Sequence, residues 1–488
     1  MANPRRLCAM LAGIAVLSAC SFAPVYHPPQ TALPAQFKEA GGWQPAQPAD
    51  RIARDGWWKA FRDPVLDRLE VRVAAANPDV AAAAARHDEA AALFDQARSG
   101  LFPTIGLGTQ LSSNRQSATR PLRGANQPNV YGSNTLDAGF DYDLDLWGKV
   151  RNEVAAGRAN AQASADDLAS VRLSLQASLA NAYFNLRGLD QQQQLLSDTI
   201  DTYRRALKLT MSRHAGGIAS DLDVSRARTQ LDSARASAED VRARRALYEH
   251  AIATLTGVPA SSFSLAPDLS VAYLPAIPAG IPATLLQRRP DVAAAERRMA
   301  AANAKIGVAR AAFFPDITLG LIGGYQSSGL GHWLSAPNEI WSIGPGLALT
   351  LFDGGRRQAL TDQAHAQLAE NGAKYRAVVL DACRQVEDNL ALTHHLGDEA
   401  ARQQEALDAA ERTLQLSMSR YRDGVVSYLD VVTAQTTELD TKVAMLELDT
   451  RRQLAAVGLI AALGGGWSAD DAAAGAKAPD ATPAGSTT

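Results

Sequence analysis

The chain is written twice. Asn77-Pro78-Asp79-Val80 returns as Arg289-Pro290-Asp291-Val292, Ala97-Arg98 as Ala309-Arg310, and Phe102-Pro103 as Phe314-Pro315, each at an offset of 212. A second block, Met211-Ser212-Arg213, Gly217, Ser220, Leu222-Asp223-Val224 and Ala227, returns between Met418 and Ala434 at an offset of 207. A repeat this long is one structural unit used twice, so any fold assigned to one copy must suit the other. The expectation is a symmetric, tube-like object rather than an enzyme with one cleft.

Each copy changes its hydrophobic period twice. Asp63-Pro64 opens a helix, proline being favourable in a first turn, and this helix runs to about Leu101 with a break at Asn77-Pro78. After Phe102-Pro103 the period becomes two: Ile105, Leu107 and Leu111 alternate with Gly106, Gly108 and Gln110. A polar loop from Ser112 to about Thr135 leads to the cleanest strand in the chain. There Leu136, Ala138, Phe140, Tyr142, Leu144 and Leu146 alternate with Asp137, Gly139, Asp141, Asp143 and Asp145, the pattern of a strand with one apolar and one polar face. The second copy repeats this with Ile317, Leu319, Leu321 and Tyr325, then Trp341, Ile343, Leu347, Leu349 and Leu351. A long helix follows each hairpin, from about Trp147 to Arg213 and from about Gly355 to Arg422. In the first, Leu168, Val171, Leu175, Leu179, Ala182, Leu186 and Leu189 step by three or four, as a packing stripe does. At ~1.5 Å per residue each would be on the order of 100 Å long. Turns at Gly216-Gly217 and Gly424 lead into returning helices. The domains predicted are residues 63–257 and 283–464 as the two repeats, joined by a proline-rich strap, 258–282.

The ends add a location. Arg5 and Arg6 precede an apolar run ending in Leu17-Ser18-Ala19-Cys20, the make-up of a secretory signal over residues 1–19. Cys20 sits where cleavage is expected, like a bacterial lipobox cysteine that becomes the lipidated first residue; Ser21 behind it, rather than Asp, points to the outer membrane. Residues 20–62 read as a lipidated tether and 465–488 as a disordered tail. Cys8 leaves with the signal and Cys383 reads as a small buried hydrophobe. The formal net charge of −3 gives no electrostatic case for nucleic acid. No stretch of ~18 apolar residues follows the signal, so no transmembrane helix is expected.

The strands instead set a closure problem. At about ten residues each, they are long enough to cross a bilayer when tilted. A sheet edge in lipid leaves unpaired N–H and C=O groups, costing several kcal/mol each. Four strands cannot close, since the smallest bacterial barrels have ~8. Three chains would pool twelve strands above twelve helical columns. Asp137, Asp141, Asp143 and Asp145 then face a wet lumen, where carboxylates are tolerated. The fold class expected is mainly α with a small transmembrane β part.

These residues resemble the outer-membrane factor family of tripartite efflux systems, the TolC family, and most of all its lipoprotein branch, of which OprM is a member. The matching stretches are Asp55-Gly-Trp-Trp-Lys-Ala-Phe-Arg-Asp-Pro64, Arg288-Arg-Pro-Asp-Val-Ala-Ala-Ala-Glu-Arg297, Ala309-Arg-Ala-Ala-Phe-Phe-Pro315, Leu351-Phe-Asp-Gly-Gly-Arg356 and Leu463-Gly-Gly-Gly-Trp467. The resemblance implies a homotrimeric conduit in contact with outer-membrane lipid, with its β-barrel in that membrane and its α-barrel in the periplasm. It implies a periplasmic adaptor (membrane fusion protein) and an inner-membrane RND-type pump as partners, and no chemistry of its own. It also makes Asp430 a candidate for a carboxylate ring narrowing the closed pore, with Leu429 as an adjacent apolar ring and Asp223 as the weaker repeat mate. Thr433 stands where some members carry a second Asp, leaving the gate geometry open. The other reading of Asp430 is a helix N-terminal charge favoured by the dipole. Arg213, Gly216, Gly217, Ser220, Arg420, Gly424 and Ser427 are the residues expected to meet the adaptor, although the glycines also serve as helix ends.

Other classes fare worse. The chain contains no HExxH, GxSxG or P-loop pattern, and no cofactor is expected beyond lipid on Cys20. His394-His395 reads as a solvated pair, because i and i+1 do not share a helix face. A purely structural coiled-coil lipoprotein would need no amphipathic strands. A conduit for type I protein secretion beside an ABC transporter remains the alternative to efflux of small toxic molecules such as drugs, solvents or metal ions.

Overall fold

The computed structural model describes residues 21–28, 37–39, 56–121, 124, 127–275, 277 and 289–465. The signal, Cys20 and the tail from residue 466 lie outside them, as do most of the tether and the end of the strap. The described elements are α1 (Pro64–Ala76), α2 (Pro78–Ser99), β1 (Thr104–Arg115), β2 (Val130–Asp143), α3 (Lys149–Ala215), α4 (Asp221–Leu255), α5 (Pro290–Ala311), β3 (Asp316–Ser327), β4 (Glu339–Ala348), α6 (Arg356–Arg422) and α7 (Tyr428–Ala462). The duplication is visible in lengths: α3 and α6 have 67 residues each, and α4 and α7 have 35 each. No described helix is long and apolar enough to cross a membrane.

One compact unit gathers the strands with the described residues of 86–165 and 294–376 and residues 21–28. Its sheet is fully antiparallel in the order β1-β2-β3-β4. The register sorts the faces. Ile105, Phe140, Leu321 and Ile343 form one row, and Leu107, Ala138, Gly323 and Trp341 the next. The opposite face has Thr104, Asp141, Gly320 and Gly344 in one row and Gly108, Asp137, Gly324 and Ile340 in another. The apolar rows are uncovered: Leu107 is 79% exposed and Trp341 73%. An uncovered band of this kind marks a surface that something apolar must meet.

Two boundaries differ from the expectation. The hairpin is longer, because Val130–Thr135 pairs with Gln110–Arg115 although few of these side chains are apolar. β2 ends at Asp143, so Asp145 is not a strand residue and does not join the row of Asp137, Asp141 and Asp143. With φ at +38°, it turns out of the strand. Its carboxylate accepts from the Val150 and Arg151 backbone N–H groups at 2.9 Å each and from Arg151 Nε at 3.1 Å, holding the first turn of α3. Leu349 and Leu351 likewise fall beyond β4.

The start of the described chain docks on this unit. Phe22 stacks on Phe314 with centroids 4.4 Å apart, and Phe314 on Trp147 at 5.0 Å. Tyr26 donates to Glu296 Oε1 at 2.7 Å, and Asn303 donates to the Pro24 carbonyl at 2.8 Å.

The second unit gathers the described residues within 31–85, 166–293 and 377–465. Its core packs Trp57, Phe61, Leu66 and Val73 with Leu179, Tyr183, Phe184 and Ile252 and with Val386, Leu390, Val457 and Ile460. The helix expected to run to about Leu101 breaks where expected, at Asn77-Pro78, into α1 and α2. Asp63 caps α1 by accepting from the Val65 and Leu66 N–H groups at 2.8 and 3.0 Å, a favourable use of Asp at that position. α2 starts afresh at Pro78, since proline excludes the helical conformation of Asn77 before it. Part of the strap is tied down by a buried ion cluster. Asp190, with no exposed side-chain surface, pairs with Arg187 at 2.9 Å and Arg245 at 2.6 Å. The same arginines donate to the Ala266 and Leu265 carbonyls, and the Asp268 N–H donates to Asp190.

Candidate functional site at the helical tips and the strand faces

Each tip is a helix stop followed at once by a helix start. α3 ends when the Ile218 N–H reaches the Arg213 carbonyl (2.8 Å) and the Gly217 N–H reaches that of His214 (2.9 Å). α6 ends the same way, Val425 on Arg420 (2.9 Å) and Gly424 on Tyr421 (3.1 Å). This paired closure requires a left-handed residue, and Gly217 and Gly424 supply it with φ of +73° and +75°. The next helices begin with caps. The Ser220 N–H and hydroxyl both donate to Asp223 Oδ2, at 3.1 and 2.8 Å, while the Ser220 oxygen accepts from the Asp223 N–H at 3.2 Å. Asp430 Oδ2 accepts from the Ser427 N–H at 3.0 Å and its hydroxyl at 2.8 Å. Both aspartates singled out for the pore therefore hold the helix starts, satisfying N–H groups that would otherwise lack partners.

Around these caps the expected residues divide. Leu429, Asp430 and Thr433 are exposed, with Leu429 and Thr433 one turn apart; the Thr433 hydroxyl donates to the Leu429 carbonyl at 3.0 Å. Asp223 is half-buried and pairs with Arg226 at 3.7 Å. Arg213 is engaged within the tip: it donates to the Tyr421 carbonyl at 3.2 Å and lies 4.6 Å from that ring's centroid. Arg420 and Gly216 are exposed. Ile218, Val425 and Leu222 present uncovered apolar surface at 74%, 71% and 57%.

Sequence reasoning missed the tip's own core. Tyr421, Tyr428, Val431 and Ala227 pack together, the two rings 5.4 Å apart. Burial is the main cause that pushes the Tyr428 phenol up to about 12. Tyr428 follows the cap Ser427 directly, a signal that was available in the chain. On the sheet, Asp137 and Asp141 share the face of Gly108, Gly320 and Gly324, and Asp143 the face of Thr318 and Gly346.

A duplicated unit of this kind, with an apolar strand face and capped helical tips, defines a channel subunit of the outer membrane. The chain belongs to the outer membrane efflux protein family, whose model matches residues 71–258 and 281–465. It is 32% identical over 473 residues to the toluene efflux pump outer membrane protein TtgC of Pseudomonas putida, covering 96% of this chain and 97% of that one. It is 30% identical over 455 residues to the cation efflux system protein CusC of Escherichia coli, covering 92% and 96%. The solved outer-membrane channel OprN superposes with a TM-score of 0.83 at 28% identity, covering 91% of this chain and 99% of that one. The protein is thus an outer-membrane efflux channel, mainly helical with a small β part. The secretion alternative is not favoured.

Proposed function

We propose that three copies join their sheets, β4 of one to β1 of the next, into a closed twelve-stranded barrel that continues as a helical barrel in the periplasm. One observation carries this reading: a sheet with a continuous uncovered apolar face and unpaired edges at β1 and β4. In lipid such edges must be paired, and only closure pairs them all. The faces then fall into place, Ile105, Leu107, Trp341 and Ile343 towards lipid and Asp137, Asp141 and Asp143 towards water.

The conduit is passive. It binds no cofactor, catalyses nothing, and draws its energy from an inner-membrane pump through a periplasmic adaptor. The adaptor meets the tips at Gly216, Gly217, Ser220, Arg420, Gly424 and Ser427, where Ile218 and Val425 offer apolar surface. Asp430, with Leu429, lines the narrowest point of the closed tube. Cys20 carries the lipid; the docking of Phe22 against Trp147 and Phe314, residues that flank β2 and β3, supports an anchor at the level of the strand ends. The cargo is small toxic molecules, in keeping with relatives named for toluene and for cations.

The test is the purified protein in detergent, sized by native mass and then added to a planar bilayer. A trimer with stable conductance is expected; a monomer that forms no pore overturns the proposal. Deleting the gene should sensitise the cell to toxic small molecules, whereas loss of a single secreted protein would restore the alternative.

A further inference from the structure

We propose that His394, His395 and Asp398 form an open site for a divalent transition-metal ion, Zn2+, Ni2+ or Cu2+, on the exposed side of α6. Their ligand atoms all lie within 4.8 Å of one another, and no other group of three His, Cys, Asp or Glu among the described residues converges in this way. His394 and Asp398 are four residues apart and so stand one above the other on the helix, with Nε2 3.9 Å from Oδ2. The neighbouring ring completes the set. A helix separates i and i+1 by about 100°, but an imidazole is long enough to lean back. The rings of His394 and His395 come within 5.1 Å, tilted by 57°.

The three side chains do nothing else. All are exposed and none caps a helix, and the ion pair and ring contact they make are with each other. Several acids along α6 pair with bases, Glu370 with Lys374, Asp381 and Asp388 with Arg384, Glu399 with Arg451 and Glu405 with Arg402, while Asp362 and Asp408 take amides from Gln358 and Gln404. Asp398 has an imidazole instead. Two imidazoles and a carboxylate suit borderline ions, which take N and O ligands at about 2.0–2.2 Å. Reaching that distance asks only for small rotamer changes in side chains that nothing restrains. Mg2+ and Ca2+ want oxygen ligands and are poorly served. Three protein ligands leave coordination positions to water, so the ion exchanges freely.

The experiment is isothermal titration of the full-length protein in detergent with ZnCl2, and separately with NiCl2. About one ion per chain should bind, and excess MgCl2 should not displace it. Losing an outer-shell partner already costs about tenfold in affinity, so His394→Ala or Asp398→Asn should weaken binding by at least that. His365→Ala, also on α6 but beside Arg310, should leave the titration as it was. These residues are exposed, so thermal melts of the variants should match the parent. No saturable binding, or equal binding by a His394→Ala/His395→Ala double variant, overturns the proposal. Pore conductance measured on the same sample separates that failure from failure of the channel reading.

Discussion

The two copies solve one end-of-helix problem with different side chains. In the first, the Asn77 amide donates to the Leu255 carbonyl that ends α4 (2.8 Å), and its oxygen caps α2 by accepting from the Asp79 N–H (2.8 Å). In the second, the matching residue is Arg289. It donates to the Ala462 carbonyl that ends α7 (3.0 Å), to Gln385 Oε1 (2.9 Å) and to Asp291 Oδ2 (2.6 Å). The task is shared: the start of one helix is tied to the last carbonyl of another. The means differ because a short amide can cap and tie at once, whereas a guanidinium has no acceptor and needs Asp291 beside it. Elsewhere the copies agree. Asp145 with Arg151 and Asp353 with Arg357 both hold the start of a long helix, at 3.1 and 2.7 Å. Geometry at the joints is what duplication has kept, more than residue identity.

The sheet is where breaking one copy should hurt most, because a row of the apolar face uses both. Arg in place of Ile105 or Ile343, two ends of one row, should each cost about 2–4 kcal/mol on a lipid-facing strand. Equal loss of heat-stable oligomer on gels is expected for the two; loss in only one would break the equivalence of the hairpins. The joints come next and should be unequal. Arg289→Ala removes charge-assisted bonds from a side chain only 9% exposed, at about 2–3 kcal/mol. Asn77→Ala removes neutral ones, at about 1–2 kcal/mol. Thermal melts should rank them in that order, and the reverse order would show that the cap matters more than the tie.

The long helices were legible because a stripe stepping by three or four over a stretch free of proline has one reading, and the observed 67-residue spans follow it. Gly217 and Gly424 were legible as stops for the same local reason. The start of β2 was not. Thr135 and Ser133 pair with Gln110 and Ser112 through the backbone, and a ladder needs no apolar alternation. Asp145 misled in the opposite way: Leu144 and Leu146 prolong the alternating pattern past the point where the backbone turns. At the candidate site, Asp430 lies in the first turn of α7, in keeping with its reading as a helix N-terminal charge, and the Ser427-x-x-Asp430 spacing that makes its cap is a local signal the chain carried. The Asp190 cluster was out of reach, since its partner Arg245 is 55 residues away.

Glu70 separates the copies by pH. It is fully buried, neither carboxylate oxygen has a partner among the described residues, and burial, with a smaller effect of Asp67, pushes it up to about 9. The residue 212 positions further on, Pro282 at the end of the strap, cannot titrate. Between the ordinary value of 4.5 and about 9, the folded chain keeps a proton that the unfolded chain has released. Stability from this group is therefore greatest below 4.5 and falls as pH rises through the window. Glu70→Gln should stabilise the protein by on the order of 4 kcal/mol at pH 8 and much less at pH 4. Melting temperatures across that range check it; a pH-independent difference would mean that Glu70 is ionised in the fold.

The smallest effect should lie at the tips, where the copies are most alike. Ser220→Ala removes the acceptor for the Asp223 N–H and one donor to its carboxylate, at about 1 kcal/mol. Ser427→Ala removes only a donor to Asp430, whose carboxylate keeps the Ser427 N–H, and should cost less. The loss should be local, because α4 and α7 are anchored far from the tip by the core around Ile252 and Ile460. Amide exchange in the first turn of α4 should quicken in Ser220→Ala by about fivefold, the rate equivalent of that energy, and the first turn of α7 in Ser427→Ala by less. Tyr428 makes the asymmetry stronger, since its buried ring pins the start of α7, while α4 begins with the exposed Asp221 and Leu222. Equal exchange in the two variants would show that the hydroxyl, and not the ring behind it, fixes the turn.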